Sequence, residues 1–508
     1  MKKRVVGIIA FIIVSALLGL ATPGRAQKYG GTLTLGMIAD ILRLDPHRQT
    51  GNPTNQVLSL ITESLLEINE KGDISPGIAE SWKASQDATE WTFTLRRGVM
   101  FHNGRELVAD DVKQSYDHIR DPKTNSPKRG DFDMIKRIEV IDKYTVKFYL
   151  EGPFAGFGAS YFGGNAPIIP PETFDKDHPV GTGPFEFVEW KSRQYLKAKR
   201  FKNYWKKGLP YVDEVIFRPI TDDTVRYTAL RAGDVDFVFS LPFAEIPNLL
   251  KNPPEGIVPA IKEGDRWFYL NLHTQRGPLK DVRVRQAIAH ALDKKAIMDG
   301  LTWGLATPEA QPFPPGSQWY FPVKDLYAKP DLARARKLLE EASVGKGLSL
   351  VAIVRNETLV MNLATLAQAQ LKKIGIDLKL EVMDRATHQT RQRKHDFEIN
   401  PGHLGFYPDP DRNFYNYNHS TDPNNYGLYN SPGYDKLVEE GRRTVDVAKR
   451  KGIYRKALEL MNRELHFIYL GHLPVAQAWR SHVKNMKTNI RGDIAFHNGG
   501  VAYAWIEK

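Results

Sequence analysis

Residues 347 to 405 constrain the fold more than any other part of the chain. A strand pattern at 348–354, a helix pattern at 359–373, a strand at 376–383, a further helix and a strand at 397–404 alternate, which is βαβαβ. Leu359, Leu363, Ala367 and Leu371 fall on one stripe of the first helix, and Gly375 follows as its stop. A helix with one apolar stripe covers a sheet, so these strands form a parallel α/β layer. Such sheets bind ligands beyond the carboxyl ends of their strands, and the loop after Leu404 is therefore the expected ligand-facing segment.

Other elements are legible by the same rules. GTLTLGM at 31–37 alternates as a half-buried strand does, and short strands fit 91–95, 145–150 and 212–219. Val112, Ser115, Tyr116 and Ile119 recur at helical spacing behind Asp110 and Asp111, whose charges suit a helix start. A second such helix follows Asp281, a capping residue, with Val284, Ile288, Ala291 and Leu292 inward. A hydrophobic fraction of 42% over 508 residues supplies cores for two to four domains.

The first residues read as an export leader. Lys2, Lys3 and Arg4 precede an uncharged run from Val5 to Leu20, and Gly24 and Ala26 are the small residues of a cut before Gln27. The run falls short of the roughly 20 residues that span a bilayer. Cysteine is absent, which excludes disulfides, thiolate metal sites and a lipid-accepting residue. The expectation is a freely diffusing periplasmic protein, not a lipoprotein. The formal net charge of +12 includes Lys2, Lys3, Arg4 and Arg25 of the leader, so the exported chain is moderately basic. Basic clusters at 197–207 and 391–394 read as solvated surface, without the context of a nucleic-acid-binding motif.

Signatures of chemistry are few. No metalloprotease helix motif, P-loop or GxSxG elbow is present, and no nucleophile or acid/base pair is recognisable, so no catalytic residue and no cofactor is assigned. Gly181-Thr182-Gly183 lacks the rest of a dinucleotide fingerprint and reads as a turn. Asp409, Asp411 and Asn413 mimic a calcium loop, but Phe414 stands where glycine is required. His388, His395, His403 and His419 fit no common zinc spacing, and no metal site is assigned. The stretch 406–430 is rich in Tyr and Asn, which suits either a polar organic ligand held by stacking and hydrogen bonds or a long surface loop.

The segment 79–119, AESWKASQDATEWTFTLRRGVMFHNGRELVADDVKQSYDHI, resembles the signature of the bacterial extracellular solute-binding proteins of family 5, the peptide- and nickel-type receptors of ABC importers. The likeness continues through HPVGTGPFEF, FYLNLHTQRGPLKDVRVRQAIAHALDKKAI and DLARARKLLEEA. It implies an α/β fold of the type II periplasmic-binding-protein kind, bilobal, with an extra third domain and a hinged ligand cleft. The implied first domain is discontinuous, 27–62, 180–272 and 474–508; the second is 63–179; the third, the ligand-facing lobe, is 273–473. Asn271 and Pro474 are the hinge candidates. The resemblance further implies a monomeric receptor, not an enzyme, that delivers a peptide or peptide-like solute to a membrane permease served by a separate ATPase, with no nucleic-acid partner.

Two departures from the family pattern carry physical consequences. Val108 stands where the family often has Thr, which removes a helix cap worth about 1 kcal/mol, with Asp110 and Asp111 to compensate in part. In the segment where peptide receptors read the peptide terminus, His403 occupies the tryptophan place and Phe406 the place of the aspartate that pairs with the ligand's α-amine. The expected pocket is therefore lined by His403, Phe406 and Tyr407, stacking on a ring or apolar group, with Asp409 and Arg412 as polar neighbours. Free-amine di- and tripeptides are expected to bind weakly. An oligosaccharide, an aromatic or opine-like conjugate, a metal chelate, or unfolded segments held by a chaperone remain open as cargo.

Overall fold

The computed structural model describes residues 28–163, 166–344, 347–405 and 407–507. The leader, with the expected cut between Ala26 and Gln27, lies outside them, and so does Phe406.

The expected alternation is present as strand Leu348–Arg355, helix Thr358–Leu371, strand Ile376–Met383, helix Arg385–Arg393 and strand Ile399–Gly405. Leu348–Arg355 pairs in parallel with both of the other strands. Val360, Leu363, Ala364, Ala367 and Leu371 are buried under the helix, and Leu359 sits at the stripe's edge. Gly375 ends the following turn at φ +86°, a conformation glycine adopts without strain. Each fully buried leucine of this layer contributes about 1.5–3 kcal/mol.

Among the described residues the largest sheet has ten strands. Two long antiparallel strands, Ile257–Leu272 and Phe467–Arg480, run through its middle. One end of this pair joins Ile399–Gly405 and the βαβαβ layer; the other joins Phe237–Val238, Thr32–Met37 and Glu214–Pro219. Between the two ends the register breaks, from Lys262 opposite Val475 to Arg266 opposite Leu473. A Cβ on Gly264 would lie 2.1 Å from the Leu473 carbonyl oxygen, so the break needs a residue without a side chain.

A separate antiparallel sheet orders Ala79–Ala84, Glu90–Leu95, Thr145–Leu150 and Ile135–Asp142. Glu90–Leu95 and Thr145–Leu150 alternate buried with half-buried residues, as a one-sided sheet requires. The helix Ala109–Arg120 closes its inner face over an aromatic core in which Phe93 meets Phe148 and Phe162 edge-on, at 5.5 and 5.2 Å. Asp111 compensates in part by the reciprocal bond: its Oδ2 accepts the Val108 N–H at 2.9 Å while Arg105 braces the carboxylate. Asp110 instead accepts from the Gln114 amide.

This second lobe touches the βαβαβ lobe directly. The Ala155 N–H donates to the Arg442 carbonyl at 2.7 Å, the Gln318 N–H donates to Asp73 at 3.1 Å, and Gly156 leaves room for Asp409 that a Cβ would fill. No helix among the described residues is long and apolar enough to cross a membrane.

Candidate ligand cleft

The three parallel strands end side by side at Arg355, Met383 and Gly405. Arg355 and Glu357 form an ion pair just past the first strand, and His403 Nε2 lies 2.7 Å from Glu357 Oε1. Because this nitrogen donates to the carboxylate, its 3.4 Å approach to Arg355 is a contact and not a second hydrogen bond. The bond from His403, helped by the Arg355 charge, holds the Glu357 carboxyl at about 2, against burial pulling the other way. Arg355 keeps a buried Nε without a partner. His403 also packs edge-on against Phe268, at 5.7 Å.

The segment after Gly405 is organised by two buried ion pairs. Asp409 accepts both guanidinium nitrogens of Arg450, at 2.7 and 2.8 Å, with both side chains 3% exposed, and its Oδ1 also takes the Asp411 N–H. Asp411 is held by Arg442 at 2.7 and 3.1 Å. Asp409, expected as a polar neighbour of the solute, spends its carboxylate inside the protein: it caps the short helix Pro410–Phe414 and anchors that helix to the Val447–Glu464 helix. Tyr407 donates its N–H to Asn413 Oδ1 at 3.0 Å. Arg412 places its guanidinium 4.1 Å from the Tyr407 ring centre and 5.2 Å from that of Tyr161, and donates to Asp131 at 2.9 Å.

Asn271 lies within the long strand Ile257–Leu272. It is buried inside its strand opposite Asn400 and Phe467, and its amide donates to the His466 carbonyl at 3.2 Å. The register of that strand shifts twice, between Lys262 and Arg266, where Pro474 lies opposite, and between Phe268 and Tyr269. The four histidines stand apart: His388 contacts Asn400, His395 the Tyr426 carbonyl, His403 Glu357 and His419 Glu439. Among the described residues no three potential metal ligands stand together.

Further site residues come from distant parts of the chain. The Asp265 N–H donates to the Ile490 carbonyl at 2.9 Å, so the C-terminal segment runs over the register break near Gly264. Burial pushes the Asp265 carboxyl up to about 6, opposed by Arg491, whose Nη1 lies 4.0 Å away. Arg491 also bonds Asp493 at 2.9 Å and interacts electrostatically with Tyr407. Behind Arg491 and Asp493 lies a cavity of about 130 Å³ that also meets Gln56, Glu63, Ser64 and Tyr503. Glu63 accepts from Thr182, Tyr204 and Trp205, each at 2.8 Å, and burial pushes its carboxyl up to about 7. Arg355 was within reach of the strand-end rule; Asp131, Tyr161, Asp265 and Arg491 carry no local signal.

The chain matches the family model of the bacterial extracellular solute-binding proteins, family 5 Middle, over residues 73–425. It is 27% identical over 496 residues to the glutathione-binding protein GsiB of Salmonella paratyphi A, covering 93% of this chain and 94% of that one. Among solved structures it is similar to the periplasmic binding protein AgaA of A. tumefaciens R10 in complex with agropinic acid, at 30% identity and TM-score 0.77, covering 94% and 99% of the two chains. The periplasmic binding protein DppA of Helicobacter pylori, in complex with the peptide STSA, matches at 27% identity and TM-score 0.77 over 95% and 99%. With a family model spanning more than half of its length, this chain belongs to the bacterial extracellular solute-binding proteins of family 5.

Proposed function

We propose that the protein is the periplasmic receptor of an ABC importer, exported by a leader cut before Gln27, that captures a small peptide-like or opine-like solute and presents it to a membrane permease. The solute sits between the strand ends Arg355 and His403, the Tyr407–Arg412 segment, and Arg491 above the register break near Gly264. Three domains, with the boundaries the family implies, close on it about the paired break at 263–265 and Pro474. The protein itself carries out no bond chemistry; hydrolysis belongs to the importer's ATPase.

The observation that carries this reading is the charge inventory of the cleft. Asp409 is consumed by Arg450, Arg355 keeps a buried Nε without a partner beside its pair with the half-exposed Glu357, and Arg491 stands between Asp493 and Asp265. A solute carboxylate that reaches the Arg355 guanidinium gains a charge-assisted bond there. The relatives named for glutathione and for agropinic acid support a solute of this kind.

Mass spectrometry of what the purified protein releases on denaturation, followed by calorimetry with glutathione, agropinic acid and unmodified tripeptides, tests the proposal. Carboxylate-rich conjugates are expected to bind at least about tenfold more tightly than neutral or cationic tripeptides. Submicromolar binding of ordinary tripeptides that is lost on acetylating the α-amine would overturn it.

A further inference from the structure

A groove of about 670 Å³ opens away from the cleft residues, between the turn after Glu90–Leu95 and the segment 203–207. Arg96, Arg97 and Lys207 line it, with Trp205 and the exposed Glu80. The Arg96 Nε donates to the Gly77 carbonyl at 2.7 Å, and its guanidinium lies 4.9 Å from the Trp205 ring centre. The Arg97 guanidinium lies 5.0 Å from the Tyr144 ring centre. Both are positioned by aromatic faces, and their terminal nitrogens make no hydrogen bond among the described residues.

Charges around the groove are matched, which sets it apart. Arg105 pairs with Asp111 and Glu172, Lys143 with Glu106, Lys147 with Glu90, and Lys206 turns inward to Glu67. The basic stretch 197–207 is mostly neutralised in the same way, Lys197 by Glu189 and Lys199 by Glu186. Arg96, Arg97 and Lys207 have no ion pair among the described residues; Asp142 feels the Arg97 charge without bonding it, and Glu80 is the carboxylate on the groove wall.

We propose that this groove is a second binding site, separate from the solute cleft, for a compact multivalent oxyanion such as a phosphorylated small molecule. A guanidinium fork matches an oxyanion in two hydrogen bonds, and forks already held on aromatic rings lose little freedom on binding. The concave volume is of the size that encloses a small molecule. Phosphate on a lipid surface carries the same chemistry but meets a groove only at its rim.

Calorimetry with inorganic pyrophosphate at low ionic strength tests this on the full exported chain. The double variant Arg97→Ser/Lys207→Ser is expected to weaken a one-to-one binding event about tenfold or more, and Glu80→Gln to tighten it. Lys372→Ser/Lys394→Ser, which removes the same charge at exposed sites elsewhere, is expected to leave it unchanged. Equal weakening by both double variants, or no saturable binding, overturns the proposal. Sedimentation with vesicles of phosphatidylglycerol and phosphatidylcholine, without pyrophosphate binding, overturns it in favour of a membrane surface.

Discussion

Arg412 donates to the Asp131 carboxylate across the cleft at 2.9 Å, and the same guanidinium is sandwiched between Tyr407 of its own lobe and Tyr161 of the other. The segment proposed to read the solute thus also carries one of the contacts between the lobes, beside Ala155 with Arg442 and Gln318 with Asp73. A solute that displaces Tyr407 would also move one face of this sandwich, which would couple recognition to closure.

Arg412→Ala is therefore expected to lower solute affinity about tenfold by raising the free energy of the closed state. Asp131 is 39% exposed, so solvent screens the ion pair and the stacked rings account for most of the effect. Asp131→Asn should accordingly weaken binding less than Arg412→Ala. Calorimetry, with small-angle scattering of the liganded protein, checks both; an unchanged affinity in Arg412→Ala removes this contact from the argument.

Asp409 and Arg450 predict a different behaviour. Both are almost wholly buried, and removing one partner strands the other charge, which costs about 3–5 kcal/mol. Asp409→Ala should lose stability of that order in denaturant unfolding while its folded fraction binds solute with unchanged preference. A large change in solute preference without loss of stability would return Asp409 to the ligand-facing role.

Where local pattern dictates structure, the sequence is a sufficient guide. The strands at 145–150 and 376–383 follow from alternation and flanking turns, and the Asp281 cap follows from its side chain, which accepts the Arg283 N–H at 2.8 Å. Asp409 looked like a solute ligand because its partner, Arg450, lies 41 residues on, in a helix whose amphipathic pattern says nothing about which basic residue turns inward. The register break near Gly264 depends on the antiparallel partner and on Gly264 fitting against Leu473, which no local pattern encodes. Arg491 and Asp131 enter the cleft from opposite ends of the chain, through long-range topology that no local period encodes.

The pH dependence of stability follows from Glu63. Its folded-state value of about 7 lies above the ordinary 4.5, so the native state holds a proton that the unfolded chain has released. This contribution is complete below the unfolded value and is lost as pH rises through the folded one, by at most about 3 kcal/mol. Asp265, raised to about 6, acts with the same sign. His47 and His472, lowered to about 3 and about 4 by burial, act oppositely, since acid charges them first in the unfolded chain. Unfolding free energy should fall between about pH 5 and about pH 8 more steeply in the unaltered protein than in Glu63→Gln. Parallel profiles would remove Glu63 as the source.

Glu357 offers the sharpest test of the cleft chemistry, because it occupies the cations that a solute carboxylate would use. It bonds His403 at 2.7 Å and pairs with Arg355, where an acidic ligand would compete with it. Glu357→Gln removes the competing charge and keeps the shape, so a carboxylate-bearing solute such as glutathione should bind several-fold more tightly, by about 1 kcal/mol. Arg355→Ala should act in the opposite direction and weaken the same solute by about tenfold or more. A purely structural role for the pair would make both variants less stable and move affinity the same way. Opposite movements in affinity, measured by calorimetry on proteins with matched melting temperatures, therefore separate solute recognition from packing; movement in one direction would mean that Arg355 and Glu357 merely brace the strand end.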